Sequence, residues 1–517
     1  MTFWYKNQKH NSFQKGISMT SRILQELMTD KSYQDLPLPI LQEIYPRELL
    51  CEALSQTGRW EKRERKIPHV FLIYALIAWM LLPYQALKHV CGQLSSGLRW
   101  CAQEKPSTPL TASALCYRRR TLGVSPLRWL MRQACQPLCQ QDTPGAFLFG
   151  HRLMAIDSKL FDVPDTPEND WTFRGRNRDD QPRSSSPFPQ IRLISALEIG
   201  SHAHLGAVLA PGYCSEMSQV EDLLSFLPPH SLVLQDSGFR GVWWIQRLMQ
   251  QGHHCITRLQ TGDYAYKGGP RFSDGSYLVT ISPSKENRLT APLTLRIIEY
   301  RLAPEVAEPL SQMQESRAKS GQRAGAAPDQ VYRLAITILE PERAPAREVA
   351  AAYHQRWELE IVYDEIQEHQ MLLPLLQSKT SDGVFQEMYA ILLGHYGVRA
   401  WMMRSAKQEG LAVDQLSFTQ AISLVGAGLT LSQSLHQTPK TRWLSRFLQD
   451  LRQPDSLLPT RRVRSYPRVV KAAKTRFYIK REKDVPFVSS DRSATWDDFI
   501  CLLHASPALL PEPVLLN

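Results

Sequence analysis

Apolar positions recur every three or four residues over Ile40 to Leu54 and Ile67 to Leu94, a period that predicts helices. Behind an irregular, polar stretch at 1–35 they make an all-helical N-terminal domain, 36–105. Its longest apolar run, Val70 to Pro83, has 14 residues, short of the roughly 20 that span a bilayer. That run predicts a buried helix. Lys105-Pro106-Ser107-Thr108-Pro109 has linker composition, and Thr111 to Cys139 predicts two helices around Leu122-Gly123-Val124-Ser125-Pro126, in a connecting segment at 106–150. Arg118, Arg119 and Arg120 there fit a helix-turn-helix that contacts DNA and a helical hairpin whose arginines face water equally well.

From Leu153 the pattern shortens to strands: Leu153–Ile156, Ile191–Ile199, Leu205–Leu209, then Leu232–Leu234 and Cys255–Leu259. Helices are predicted at Glu216–Phe226 and Gly241–Gln251. Tyr277–Ile281 and Leu293–Tyr300 can pair within a stretch rich in Gly, Ser, Thr and Tyr, and Glu315–Asp329 has loop composition. Tyr332–Leu339 is a further strand, Pro345 to about Gln370 one long helix, and Val384–Ala406 another. The expected fold class is α/β: a core at 151–260 plus 331–410, interrupted by a β-rich insertion at 261–330 and followed by a helical and basic region at 411–517.

The composition, 43% apolar in 517 residues, excludes a disordered or fibrous chain. Nine scattered cysteines without paired CxxC knuckles argue against a disulfide framework or structural zinc, and Cys135 and Cys139 are expected to pack. His202, His204, His253, His254 and Cys255 likewise lack zinc-ligand spacing. No signal-peptide pattern opens the chain, so a cytoplasmic, nucleoid-associated location and no membrane contact are expected. The net charge of +11 is local, because Thr460–Lys483 holds six Arg and four Lys against Glu482 alone. Aromatic residues interleave with these cations, which points to a polyanion such as DNA, with Arg461, Arg462, Arg464 and Arg468 as phosphate contacts.

Three carboxylates carry the candidate chemistry. Asp157 follows the strand LMAI, Asp236 follows LVLQ, and Glu360 lies within the helix AAYHQRWELEIVYDEIQEHQ. Acidic residues at strand ends of an α/β sheet project into its ligand crevice, and hard oxygen donors suit Mg²⁺ or Mn²⁺. Singly, each has a blander reading, since Asp236-Ser237-Gly238 could only cap a turn. At about 100° per residue, Tyr353, Arg356, Glu360, Asp364 and Gln367 fall within roughly 80° of one another, while Glu358 and Glu365 point elsewhere. Such a face suits Glu360 on metal and Arg356 and Tyr353 on phosphate oxygens, with Asp364 the alternative third ligand.

The chain resembles the DDE transposases of bacterial insertion sequences, in particular the insertion-sequence-four family. The resemblance rests on Ala155-Ile156-Asp157 with Phe161 to Asn169, Phe188 to Leu193, Leu232 to Phe239, and Tyr353-His354-Gln355-Arg356-Trp357-Glu358-Leu359-Glu360, the Tyr-x2-Arg-x3-Glu portion of the family's helix signature. Weaker similarity extends to Ser378-Lys379-Thr380, Leu416 to Thr419, Tyr466 to Lys471 and Pro46-Arg47-Glu48. It implies a ribonuclease-H-like catalytic core in which Asp157, Asp236 and Glu360 are both catalytic and metal-binding, holding two Mg²⁺ ions, for which Mn²⁺ substitutes. It further implies binding to double-stranded DNA, at terminal inverted repeats and target, as a homodimer in a synaptic complex that cuts DNA and transfers strands. Asp157 to Asp236 spans 79 residues, room for the first four strands of a five-strand sheet, and Asp236 to Glu360 spans 124, room for the insertion.

Two positions depart from the family. Its helix signature ends in Lys where this chain has Gln367, a phosphate contact without charge for which Lys379 can compensate. Between Gln260 and Ala350 there is no Trp to stack on a flipped base in a hairpin route. The loop bearing Arg174, Arg176, Arg178 and Arg183 either grips DNA or is disordered. A DNA-binding descendant without catalysis and a metal-dependent nuclease without strand transfer are the alternatives to an active transposase.

Overall fold

The computed structural model describes residues 38–61, 67–82, 85–102, 111–177, 179–184, 186–260, 263, 270–303, 331–371, 375–431, 438–459, 464–465, 487–491 and 493–505. The chain begins with α1 (Pro39–Gln42), α2 (Arg47–Gln56), α3 (His69–Trp79) and α4 (Leu87–Ala102). Every residue of α3 is buried, as a helix apolar on all sides requires. α5 (Ala112–Leu122) and α6 (Ser125–Ala134) follow. Thr111 caps α5 by accepting from the Ala114 amide, and Gly123, at φ +68°, ends it in the left-handed region that a side chain disfavours. α5 packs on α3, and α6 lies against α2 and a long central helix.

A mixed sheet forms the centre. It comprises β1 (Phe147–Leu148), β2 (His151–Asp162), β3 (Gln190–Glu198), β4 (Ala203–Pro211), β5 (Ser231–Gln235), β6 (His254–Arg258), β7 (Tyr277–Ile281), β8 (Leu293–Leu302), β9 (Tyr332–Ile336) and, from the far end of the chain, β12 (Ile500–Leu502). Its order is β12-β8-β9-β6-β5-β2-β3-β4, with β7 on β8 and β1 on β2. β2, β3 and β4 run antiparallel, while β5 and β6 run parallel to β2. The strands expected in an insertion, β7 and β8, are hydrogen-bonded into this same sheet through β9. Glu315–Asp329 lies outside the described residues.

Around the sheet pack α7 (Val242–Gln250), α8 (Ala346–His354), α9 (Glu358–Asp364), α10 (Ser381–Gln408), α11 (Phe418–Thr430) and α12 (Lys440–Asp450). α10 is the long central helix, and it joins the N-terminal helices to the sheet in one continuous apolar core. Two expectations change. The helix expected at Glu216–Phe226 is a pair of 3-10 stretches, Glu216–Ser218 and Val220–Phe226. The single helix expected from Pro345 to Gln370 is broken by a 3-10 turn at Gln355–Trp357 and becomes π-helical at Glu365–Gln370. Among the described residues no helix is long and apolar enough to cross a membrane.

Candidate active site

β2 and β5 run parallel from Arg152↔Ser231 to Ile156↔Gln235, and the next residue on each is the acid: Asp157 beside Asp236. Asp157 is not at the end of its strand, as the sequence suggested. β2 runs on to Asp162 because β3 keeps pairing with it, Asp157 lying opposite Ser195, whereas β5 stops. From Asp157 onward β2 therefore has no β5 partner on that side. Asp236 also does the blander job foreseen for it, its Oδ1 accepting from the Gly238 amide at 2.8 Å.

The third acid arrives through Arg356. Its Nη1 donates to Asp157 Oδ2 at 2.9 Å, and its Nη2 lies 4.0 Å from Glu360 Oε1, so one guanidinium bridges strand and helix. Burial pushes the Asp157 carboxyl up to about 6; Arg356 and the Ser158 amide oppose this, and the charges of Asp236 and Glu360 add to it. Burial also raises the Tyr353 phenol, against the pull of Arg356, which hydrogen-bonds it. Asp364 is exposed, and the charges acting on it are those of Lys159, Glu368, His369 and Glu365. Asp157 therefore senses Glu360, which favours Glu360 over Asp364 as third member. Glu358 and Glu365 do point away, Glu358 to His202 at 3.1 Å and Glu365 into a buried set with His395 and Arg399.

Hard carboxylate oxygens, one of them on an acid that burial and two acidic neighbours hold back from ionising, suit a divalent cation. As the side chains stand, among the described residues no three possible ligands are close enough together to hold one. Arg356 takes part of that space.

Other expected contacts are placed as follows. Gln367 is half-buried in the π-helical segment, and Lys379 is exposed, its carbonyl accepting from Thr166 Oγ1 at 2.9 Å. Arg118 and Arg119, which the sequence left open between DNA contact and a water-facing hairpin, are half-buried against the chain. Arg118 binds Glu61 and the Ile67 carbonyl, and Arg119 ties α5 to α10 through Ser378 Oγ, Gln386 Oε1 and the Gly383 carbonyl. Arg174 and Arg176 both pair with Asp170, and Arg178 lies outside the described residues. Arg461, Arg462 and Arg468 lie outside the described residues, and of Arg464 only the backbone is described, paired with Val488 in the two-strand ladder β10 (Arg464–Ser465) and β11 (Phe487–Val488).

Three neighbours of the site were not singled out from sequence. Glu216 binds Ser158 Oγ and Arg192 Nη1, and its Oε2 stands 2.8 Å from where a β-carbon of Gly238 would be, with Asp236 Oδ1 at 2.9 Å from the same point. Glycine at 238 is what lets these two carboxylates approach. Tyr363 and Ser195 bond to each other beside Asp157. Tyr363 was within reach of helical arithmetic, since it lies one turn beyond Glu360; Ser195 needed the sheet register and Glu216 the tertiary packing.

Residues 36–132 match the family described as insertion element 4 transposase N-terminal, and residues 148–395 match the transposase DDE domain. The transposase InsG of insertion sequence element IS4 from Escherichia coli (strain K12) is 27% identical over 442 residues, 84% of this chain and 92% of that protein. InsZ of the same organism, also named as a transposase, is 27% identical over 233 residues, 44% of this chain and 75% of that one. Among solved structures, a piggyBac transposase synaptic complex with hairpin DNA aligns at a TM-score of 0.41 and 12% identity over 81% of this chain and 87% of that chain, too distant to bear on the fold. Both domains, in order along a chain that a named relative matches over most of its length, make this protein a member of the insertion-sequence-four family of DDE transposases.

Proposed function

We propose that the protein binds the terminal inverted repeats of its element and, at Asp157, Asp236 and Glu360, cuts the DNA and joins it to a target. The observation that carries this is the lateral placement of Asp157 and Asp236 where β5 ends, with Glu360 tied to Asp157 through Arg356. The five strands β2 to β6, with the acids on the first and just past the fourth, support a ribonuclease-H-like core. The three carboxylates would hold two Mg²⁺ ions, or Mn²⁺, which when bound activate the attacking oxygen and stabilise the leaving one in an in-line displacement.

The chain's own groups bind and orient. Arg356 offers a planar fork to a phosphate, Tyr353 sits behind it, and Gln367 and Lys379 supply further donors. In the first step water attacks phosphorus at the element end and the 3′-oxygen leaves with its bonding pair, taking up a proton. In the second, that 3′-hydroxyl attacks a target phosphodiester, whose own 3′-oxygen departs. No bond to the protein forms. A homodimer would hold two ends together so that both join at one target.

The test is a labelled duplex carrying the element's end and flanking DNA, with Mg²⁺ or Mn²⁺, comparing wild type with Asp157→Asn, Asp236→Asn and Glu360→Gln. Wild type should nick at the end boundary and give joined products. Each variant should bind the duplex yet cut on the order of 10³-fold more slowly, the equivalent of several kcal/mol of transition-state stabilisation. Cutting by any variant at the wild-type rate removes that residue from the site, and nicking without joined products reduces the protein to a nuclease.

A further inference from the structure

The strand carrying Asp157 and the helix carrying Glu360 also meet through a hydroxyl. Tyr363, three residues beyond Glu360 on α9, is buried, and its Oη donates to the main-chain carbonyl of Asp157 at 3.1 Å. The same oxygen shares a hydrogen bond with Ser195 Oγ at 2.8 Å. A phenol has one proton, so with that proton on the Asp157 carbonyl it is Ser195 that donates to Tyr363. Ser195 lies directly opposite Asp157 in the β2–β3 pair, and the three groups close a ring across strand, strand and helix. Burial raises the phenol far above its ordinary value, so the donor keeps its proton. Lys159, two residues along β2, places its Nζ 5.9 Å from the Tyr363 ring centre.

We propose that Tyr363 is a positioning residue for DNA cleavage, its hydroxyl setting the spacing between the Asp157 strand and the Glu360 helix at which the two carboxylates bind divalent ions together. This rests on the reading of those carboxylates as metal ligands. Mg²⁺ tolerates little departure from octahedral geometry, so a loosened spacing shows first in metal dependence.

The experiment uses full-length Tyr363→Phe, which keeps the ring and removes the hydroxyl. Mn²⁺ is titrated into protein bound to the end duplex, and free Mn²⁺ is read by electron paramagnetic resonance. Cleavage against Mg²⁺ concentration is measured in parallel. Metal-free duplex binding should be unchanged, Mn²⁺ affinity about three- to tenfold weaker, as for one lost buried hydrogen bond, and half-saturating Mg²⁺ raised by a similar factor. Cleavage should recover at saturating Mn²⁺, which a merely structural defect would not allow. Wild-type Mn²⁺ affinity and Mg²⁺ dependence in the variant overturn the proposal. If Tyr363→Phe fails to fold, Ser195→Ala carries the same test, with the same direction expected and an unchanged titration again overturning it. Wild-type protein that takes up no Mn²⁺ overturns the ligand assignment, and this proposal with it; Mn²⁺ uptake by wild type with an unaltered variant overturns this proposal alone.

Discussion

At Asp157 the carboxylate is held by a guanidinium. Burial works against the Arg356 charge, yet Tyr353, Asp157, Asp236 and Glu360 around it raise its pKa and keep it protonated. A divalent ion bound by Asp157 and Glu360 must displace this side chain, and a DNA phosphate is the partner to which an arginine moves most readily, through two parallel hydrogen bonds. If Asp157 and Glu360 bind a divalent ion as proposed, then without DNA arginine and metal compete for one carboxylate. Arg356→Ala should therefore bind Mn²⁺ about tenfold more tightly than wild type in the absence of DNA, a charge-assisted hydrogen bond being worth about 1.5–3 kcal/mol, while cutting the end duplex poorly. Calorimetry on DNA-free protein decides this, and equal or weaker Mn²⁺ binding by the variant refutes the competition. The sequence singled out the three acids from their local setting on a strand or a helix face, and Asp157 proves to lie within β2 rather than at its end. Tyr363 with Ser195, 168 positions apart, and Arg119 with Gln386, 267 apart, were not legible there, because nothing near either residue says which distant group it will meet.

The helix behind the site shows where periodicity stops informing. A constant 100° per residue grouped Tyr353, Arg356 and Glu360 correctly but missed the 3-10 turn before Glu358 and the π-helical stretch from Glu365. Buried polar anchors on α10 accompany that change of winding: Arg399 reaches both Glu365 oxygens, and His395 Nε2 lies 3.0 Å from Oε2. Burial disfavours the charged Glu365, but Arg399 and His395 outweigh it and hold its carboxyl well below the usual carboxylate range. Arg399→Leu leaves that carboxylate buried and without its main partner, a loss of about 3–5 kcal/mol. Urea unfolding at pH 7 should show it as a lower midpoint. The sign with pH follows from the lowered pKa: the pair's contribution is complete above about 4.5, the unfolded Glu value, and erodes as pH falls below it. The gap between wild type and Arg399→Leu should therefore narrow in acid, since a protonated Glu365 needs no cation. A gap that stays constant from pH 7 to pH 4 contradicts the assignment.

Over the whole molecule, the individual strands were readable as short apolar runs, but their partners were not. β8 takes up β7, β9 and the distant β12, and an apolar strand pattern does not specify which edge it will join. The far end of the chain consequently returns to the catalytic body, where Trp496 stacks on His354 with ring centres 4.0 Å apart and Arg347 donates to the Asp497 carbonyl at 2.6 Å. The basic run Thr460–Lys483 is thus followed by chain anchored on α8 and β8, and the short strand β10 within it pairs with β11 just after it. That run carries nearly all the net charge of +11, so the salt dependence of DNA binding should reside there. Each phosphate contact contributes about 0.9 to the slope of log affinity against log salt. Replacing Arg461, Arg462, Arg464 and Arg468 by Ala should flatten the slope by about 3 to 4 and weaken end duplex and unrelated duplex alike, because phosphate contacts carry no sequence. Arg119→Ala is the control: its guanidinium is spent on Ser378, Gln386 and Gly383, so the variant should lose stability and keep the wild-type slope. An unchanged slope in the fourfold variant, or a flattened one in Arg119→Ala, would move the DNA-binding face from the basic run to α5 and α6.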